Sequence, residues 1–337
     1  MDALNARHVL QFSLLPSALV GRVIVRYSVS SWFQFYEPRL FNSLEQCMSK
    51  KRIAVLTDSG TNTPAEFIAA HDIRVAPLRI NYSDGTTYES TVNITPEQIA
   101  SRFDQEIPST SLPSPEKIHT LFDDVKASGY DAAVFICISS GLSATCDTVR
   151  MIAQDISDLP IKVIDTKNIG IAAGLIVIEA VRLIDAGVPY EELEQKLVAA
   201  SQRTRVFFSV PALNFLRKGG RISEAVYRIG SVLNIKPVLT CEPAGTYGIA
   251  KRTRGWEKSL KEELALAATE AQKYSHVHAA ISCSAPNLIY TEMEERMRRA
   301  IPNIVDFVTS DIGSDLLVHT GPGLVGIAIQ GIDEASL

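Results

Sequence analysis

Residues 131–148 read DAAVFICISSGLSATCDT. Asp131 to Ile138 is apolar after its first residue, rich in β-favoured types, and stops at Ser139-Ser140-Gly141. It predicts a buried strand. Val149, Ile152, Ala153 and Ile156 follow at helical spacing, with Ser143 in the turn between strand and helix. Free backbone N–H groups and the helix dipole favour a bound anion at such a turn, and a hydroxyl there donates to it as well. The stretch predicts an anion site at the strand-to-helix turn of an α/β fold.

The same rhythm extends on both sides. Upstream, Arg52 to Leu56 predicts a strand ending in Thr57-Asp58-Ser59-Gly60, followed by a helix with Thr63 as N-cap and Pro64 at its first position. Ile73 to Ile80 reads as one further strand, and Arg79–Tyr82 with Thr87–Tyr88 as a hairpin across Ser83–Thr86. Thr95 and Gln98 are spaced for a capping box. Pro108, Pro113 and Pro115 hold an extended, hydroxyl-rich loop before a helix that starts at Ser114. In a parallel sheet, loops at the strand ends converge on one crevice, which brings Thr110 of that loop toward Ser143. Downstream, Ile161–Asp165 predicts a strand, Gly170–Ala186 an apolar helix, and Pro189 the start of another.

Alternating strands and helices predict a three-layer α/β/α domain with a parallel sheet over residues 51–203. Beyond it the order changes. Strands are expected at Arg205–Val210, Ile235–Cys241, Thr246–Lys251, Val277–Cys283, Ile304–Thr309 and Gly323–Gln330, with a basic glycine turn at Lys218–Ser223. Asp311 to Pro322 reads as a long glycine-bearing loop. Residues 204–331 therefore predict a second α/β domain, with a mixed sheet. Residues 1–47 differ: no lysine occurs before Lys50, and Leu10 to Val25 is interrupted by Pro16 and Arg22. They read as an extension outside the fold, disordered or upstream of the true start at Met48, with only a weak likeness to a signal peptide.

A net charge of −5 gives no bulk signal for nucleic acid. Five cysteines without a CxxC pair argue against a disulfide framework or a zinc site and suit a reducing, cytoplasmic compartment. His276 and His278 alternate on one strand without a third ligand, and read as a solvated strand edge. Lys218-Gly219-Gly220-Arg221 lacks phosphate-loop spacing, and no GxGxxG follows the first strand. Gly141-Leu142-Ser143-Ala144-Thr145 resembles a nucleophile elbow, and a later Asp165 or Asp311 and His319 keep the order Ser, Asp, His. Thr145 stands where the elbow wants glycine, so a hydrolase of acyl esters, with Ser143 as nucleophile and His319 as base, is the alternative reading. The leading one is a carboxylate held by Thr110, Ser143 and helix-start amides, with an apolar tail enclosed behind it.

These residues carry a resemblance. Thr57-Asp58-Ser59, Thr110-Ser111-Leu112-Pro113-Ser114, Ser139 to Thr145, Val163 to Thr166, Leu216 to Ile222, Ile235-Lys236-Pro237, Lys251 to Arg254 and His319 to Gly323 fall in the order seen in the DegV family of bacterial fatty-acid-binding proteins. The chain from Lys51 to Gly331 resembles that family throughout. The resemblance implies two domains with a long-chain fatty acid such as palmitate between them, bound by a carrier that is not an enzyme and needs no cofactor. By the same resemblance, Thr110 and Ser143 bind the carboxylate, and His319, Asp58 and Ser59 lie near the head group. The loop bearing His319 is a candidate lid, and Arg221 and Arg252 mark the mouth, where a partner docks. Some members present the acid to a separate ATP-dependent fatty acid kinase, which makes an acyl phosphate; any membrane contact would be transient. Ala144 departs from the family's usual glycine.

Overall fold

The opening stretch folds as its pattern demands. Ala132–Cys137 is a strand with every residue buried, and the helix Thr145–Gln154 follows it. The computed structural model describes residues 51–231, 235–284 and 288–332. The chain divides at residue 50, and the unit that follows is the one described. The expectations for residues 1–47 lie outside the described residues.

The strands of the first half are β1 (Ile53–Asp58), β2 (Arg74–Ala76), β3 (Arg79–Asn81), β4 (Thr87–Glu89), β5 (Ser109–Ser111), β6 (Ala132–Cys137) and β7 (Ile161–Asp165). Four of them form a parallel sheet in the order β2-β1-β6-β7. Ala54, Leu56, Ala133 and Phe135 pack on helices Pro115–Ala127 and Thr145–Gln154. Val55, Val134, Ile136 and Ile164 pack on helices Ile171–Asp185 and Tyr190–Gln202. Because successive strand residues face opposite ways, an all-apolar strand needs cover on both sides, and three layers result.

Ile73 to Ile80 is not one strand. It breaks between β2, which pairs with β1, and β3, which joins β4 and β5 in a separate antiparallel sheet. Pro77 offers no N–H at the break, so no single ladder can run through it. The helix expected to start at Pro64 starts at Ala65, with Pro64 extended at the cap. The Thr63 hydroxyl pairs with Thr61 instead, at 3.0 Å. The Thr95–Gln98 capping box forms, and Ser114 caps its helix through Lys117 N.

The second half holds β8 (Thr204–Ser209), β9 (Val238–Cys241), β10 (Tyr247–Lys251), β11 (Val277–Cys283), β12 (Ile304–Asp311) and β13 (Val325–Gly331). They form one mixed sheet in the order β10-β9-β8-β13-β11-β12, in which only β11 and β12 are parallel. One face carries helices Trp256–Ala271 and Leu288–Ala300. The other turns toward the first half, where helix Ile171–Asp185 lies against both sheets and is buried along most of its length. Arg182 of that helix donates to His278 Nε2 at 2.7 Å and pairs with Asp306. His278 is thus a part-buried acceptor on an interior strand, not a solvated edge. Burial and the Arg182 charge pull its pKa down to about 4.

Segment 311–322 is also not a loop. Ser314–Thr320 is a helix, wholly buried. Helix Glu224–Ser231 was likewise not anticipated.

Glu263, on helix Trp256–Ala271, is fully buried and neither carboxylate oxygen has a hydrogen bond of good geometry. Burial pushes its pKa well above the carboxylate range, and the Ser209 hydroxyl offsets little of that. A carboxyl raised in the fold gives stability that is complete below its unfolded pKa, about 4.3, and fades as pH rises toward the folded value. Glu263→Gln removes that loss. Its melting temperature relative to the parent should increase from about pH 4.5 to about pH 7.5; a difference constant with pH would contradict this account.

Candidate functional site

Open parallel sheets bind ligands outside the carboxyl ends of the strands, where the strand order reverses. Here the reversal falls between β1 and β6. The chain leaves β1 toward β2 on one side, and β6 toward β7 on the other. Asp58, at the end of β1, stitches this point together, accepting from Gly60 N at 3.0 Å and from Ile138 N at 2.9 Å. Burial raises its pKa to about 7, and nearby Asp315 adds to the shift.

Beyond β6 the chain turns through Ser139 to Ser143. Ser143 N donates to Ser139 O at 3.1 Å, and Ser143 Oγ shares a hydrogen bond with Thr145 Oγ1 at 2.8 Å. The amide of Thr145 also points at Ser143 Oγ, at 3.3 Å. Ala144 has φ −75° and ψ 3°, a turn conformation with negative φ that does not require glycine.

Thr110 reaches the same place from β5. Its backbone pairs with Ile80, and its hydroxyl meets His319 Nε2 at 2.7 Å. His319 is carried there by the buried helix Ser314–Thr320, which Ser59 ties to β1 through a 2.5 Å bond to Asp315. A Cβ on Gly219 would lie 2.1 Å from His319 Nδ1, so only glycine fits against the ring. Burial, helped by the Arg221 charge, drives the His319 pKa down to about 3. The imidazole is therefore neutral, and its Cε1–H resonance should not titrate between about pH 5 and about pH 8. A histidine shift in that range, assigned through His319→Gln, would contradict the burial argument.

Arg221 completes the cluster. Its guanidinium donates to Leu142 O at 3.1 Å and to Gly219 O. Among the described residues no carboxylate pairs with it, and burial lowers its pKa. Thr110, Ser111, Ser140, Ser143, Ala144 and Arg221 line one cavity of about 430 Å³, together with Asp147, whose carboxylate pairs with Arg150. On the far side of Thr110, a second cavity of about 330 Å³ is lined by Lys218, Gly219, Arg221 and His319. The arrangement offers hydroxyls, Thr110 and Ser143 among them, and a part-buried cation with no ion pair among the described residues to an anion.

Behind the cluster lies a large apolar core to which Leu78, Leu142, Phe208 and Leu316 contribute. Within it runs a slot of about 30 Å³, lined by Ile169, Phe208, Tyr247, Leu316, Leu324 and Gly326 among others.

A family model described as "Uncharacterised protein, DegV family" matches residues 52–331. The chain belongs to the DegV family. It is 31% identical over 283 residues to a DegV domain-containing protein of Clostridium perfringens, covering 83% of this chain and 99% of that relative. A Thermus thermophilus DegV family protein, solved under the heading of fatty acid binding, matches with a TM-score of 0.77 at 29% identity, over 83% of this chain and all of that one. The Bacillus subtilis DegV structure, described as a fatty acid binding protein, matches with a TM-score of 0.75 at 25% identity, over 84% of this chain and 100% of that one.

The residues singled out by the DegV resemblance do not all meet. Thr110, Ser143, Arg221 and His319 do. Asp58 and Ser59 line a different cavity, with Thr61, Asn62 and residues 309–311, and serve as buried ties between elements. Arg252 is exposed and lines neither of these two cavities. His319 is no lid: its helix is part of the core. Sequence reasoning missed Thr145 and Asp315, as well as the inward position of Arg221. The two-residue spacing of Ser143 and Thr145 was a usable signal for the first. Among the described residues no cluster of His, Cys, Asp and Glu is arranged to hold a metal, and no helix is long and apolar enough to cross a membrane.

Proposed function

We propose that this chain binds a long-chain fatty acid, with its carboxylate between Thr110, Ser143 and Arg221 and its tail in the apolar core between the halves 51–203 and 204–331, which act as two domains. The observation that carries this reading is the Arg221 guanidinium: part-buried, paired with no carboxylate among the described residues, and facing the same cavity as the Thr110 and Ser143 hydroxyls. Its neutral neighbour His319 adds a hydrogen bond without competing for charge. Each buried methylene contributes about 0.8 kcal/mol, so the tail supplies most of the affinity and the polar cluster its orientation. The fatty-acid-binding relatives support the same ligand.

In this proposal the protein is a carrier without catalytic activity of its own, working in the cytoplasm. It presents the acid to a separate ATP-dependent kinase for acyl-phosphate formation, with Arg252 on the exposed surface as a docking contact. The free thiols of Cys137, Cys146, Cys241 and Cys283 agree with a reducing compartment.

The geometry speaks for a carrier over a serine hydrolase. Ser143 pairs with Thr145, and His319 with Thr110. His319 Nδ1, where the acid of a triad would bond, is buried and unpartnered. Asp165 is engaged with Lys167 and the Ser140 amide, and Asp311 with Tyr290. Native mass spectrometry of the purified protein tests the proposal. A co-purifying fatty acid, absent from the Thr110→Ala/Ser143→Ala variant, is expected. No lipid, together with covalent labelling of Ser143 by a fluorophosphonate probe, would overturn it in favour of the hydrolase.

A further inference from the structure

The slot in the core, at about 30 Å³, is too small to hold a long acyl chain. An acyl chain enters only if a wall moves, and the walls are not equally held. Phe208, Ser282 and Gly326 sit on β8, β11 and β13, each paired with strands on both sides. Ile171 begins the helix packed between the two sheets. Leu316 and Thr320 belong to the helix anchored by the Ser59–Asp315 and Thr110–His319 bonds.

Tyr247 is different. It is the first residue of β10, the edge strand of the six-stranded sheet, which pairs with β9 alone. Its ring lines the slot, standing edge-on to Phe208 with centroids 5.1 Å apart at 62°. Tyr247 lines the slot, and Tyr247 and Arg221 lie within electrostatic reach of each other.

The β9–β10 turn is fastened to the head-group turn. Ser139 Oγ donates to Gly245 O at 2.8 Å and accepts from Gly141 N at 3.1 Å. The two turns are in backbone contact: a Cβ on Gly141 would lie 2.8 Å from the Gly245 carbonyl carbon. One hydroxyl therefore joins the chain segment leading to Ser143 to the hairpin that carries Tyr247.

We propose that Tyr247 is the specificity-determining gate of the slot, swung by the β9–β10 hairpin and latched by Ser139. This rests on the fatty-acid reading. The chain passes where the phenol ring leaves Phe208, and how far the ring stays displaced sets the bore. A straight chain needs a small displacement, whereas a methyl branch holds the ring further off Phe208 and the latch open.

The test compares hexadecanoic acid with an iso-branched acid of the same carbon number, by calorimetry and by stopped-flow displacement from the delipidated full chain. The parent protein should prefer the straight acid by about tenfold or more, the scale set by one misplaced methyl group. Tyr247→Ala should erase the preference and release both acids roughly tenfold faster, and Tyr247→Phe should restore the preference by restoring the ring. Ser139→Ala should speed release while keeping the preference. Tyr247→Leu, with its melting temperature matched to the parent, answers for any folding defect of the alanine variant and should also lose the preference. If Tyr247→Ala and Tyr247→Leu keep the parent's preference and release rate, the gate lies elsewhere and the inference fails while the ligand stands. If the parent binds neither acid, the fatty-acid reading itself fails.

Discussion

Replacing both Thr110 and Ser143 by alanine is expected to weaken fatty-acid binding by about 100-fold or more. A hydrogen bond to a charged group contributes about 1.5–3 kcal/mol, and about 1.4 kcal/mol is a factor of ten in affinity. The two hydroxyls act on one carboxylate, so their effects are coupled and the double variant falls short of the product of the singles. Thr110→Ala carries a second cost, because it leaves His319 Nε2 without the 2.7 Å partner it has in a buried site. The tail contacts are untouched, so residual binding should persist and should depend more steeply on chain length than in the parent. Titration calorimetry with a saturated acid reads both effects. Unchanged affinity would move the carboxylate away from this cluster. The melting temperature should fall modestly, because the Thr110 change leaves the buried His319 Nε2 unpaired, whereas Ser143 is only part-buried.

Phe135→Ala should do the opposite. Phe135 is fully buried on β6, edge-on to Phe122 at 6.1 Å, in the layer formed with helices Pro115–Ala127 and Thr145–Gln154. Removing such a ring leaves a cavity that costs about 3–5 kcal/mol, a fall in melting temperature on the order of 10 °C for a chain of this size. Phe135→Leu should cost much less, because most of the volume is kept. A thermal melt checks both. If Phe135→Ala melts with the parent, β6 does not anchor the sheet. Below the shifted transition the variant should still bind the acid, since Phe135 faces the layer opposite helix Ile171–Asp185. The two experiments thereby separate the scaffold from the site it positions.

The parts of this fold that could be read in advance are those set by near neighbours. The Thr95–Gln98 capping box and the Ser114 cap were legible because both partners lie within four residues. The β6 strand and the turn to Ser143 were legible because an unbroken apolar run must be covered on both faces. What misled was any element whose environment is set from afar. Ile73 to Ile80 has strand composition throughout, but its two ends are claimed by different sheets. Ser314–Thr320 is surrounded on all sides, so it shows no amphipathic period by which a helix is recognised. His278 looked solvated because nothing nearby in sequence hints at Arg182, which arrives from helix Ile171–Asp185.

The sequence alone determined the layering of this protein, the convergence of Thr110 and Ser143 on one cavity, and the family to which their motifs are similar. Each of these follows from local pattern: apolar runs, caps, and short motifs in order. Only the tertiary structure decided that Arg221 lines the same cavity as Thr110 and Ser143 with no carboxylate paired to it among the described residues, that His319 is a neutral buried group on a core helix, and that Asp58 and Ser59 are ties between elements. Charge state and burial depend on which distant segments close around a side chain, and the packing of β5, the Ser139–Ser143 turn and helix Ser314–Thr320 makes that choice.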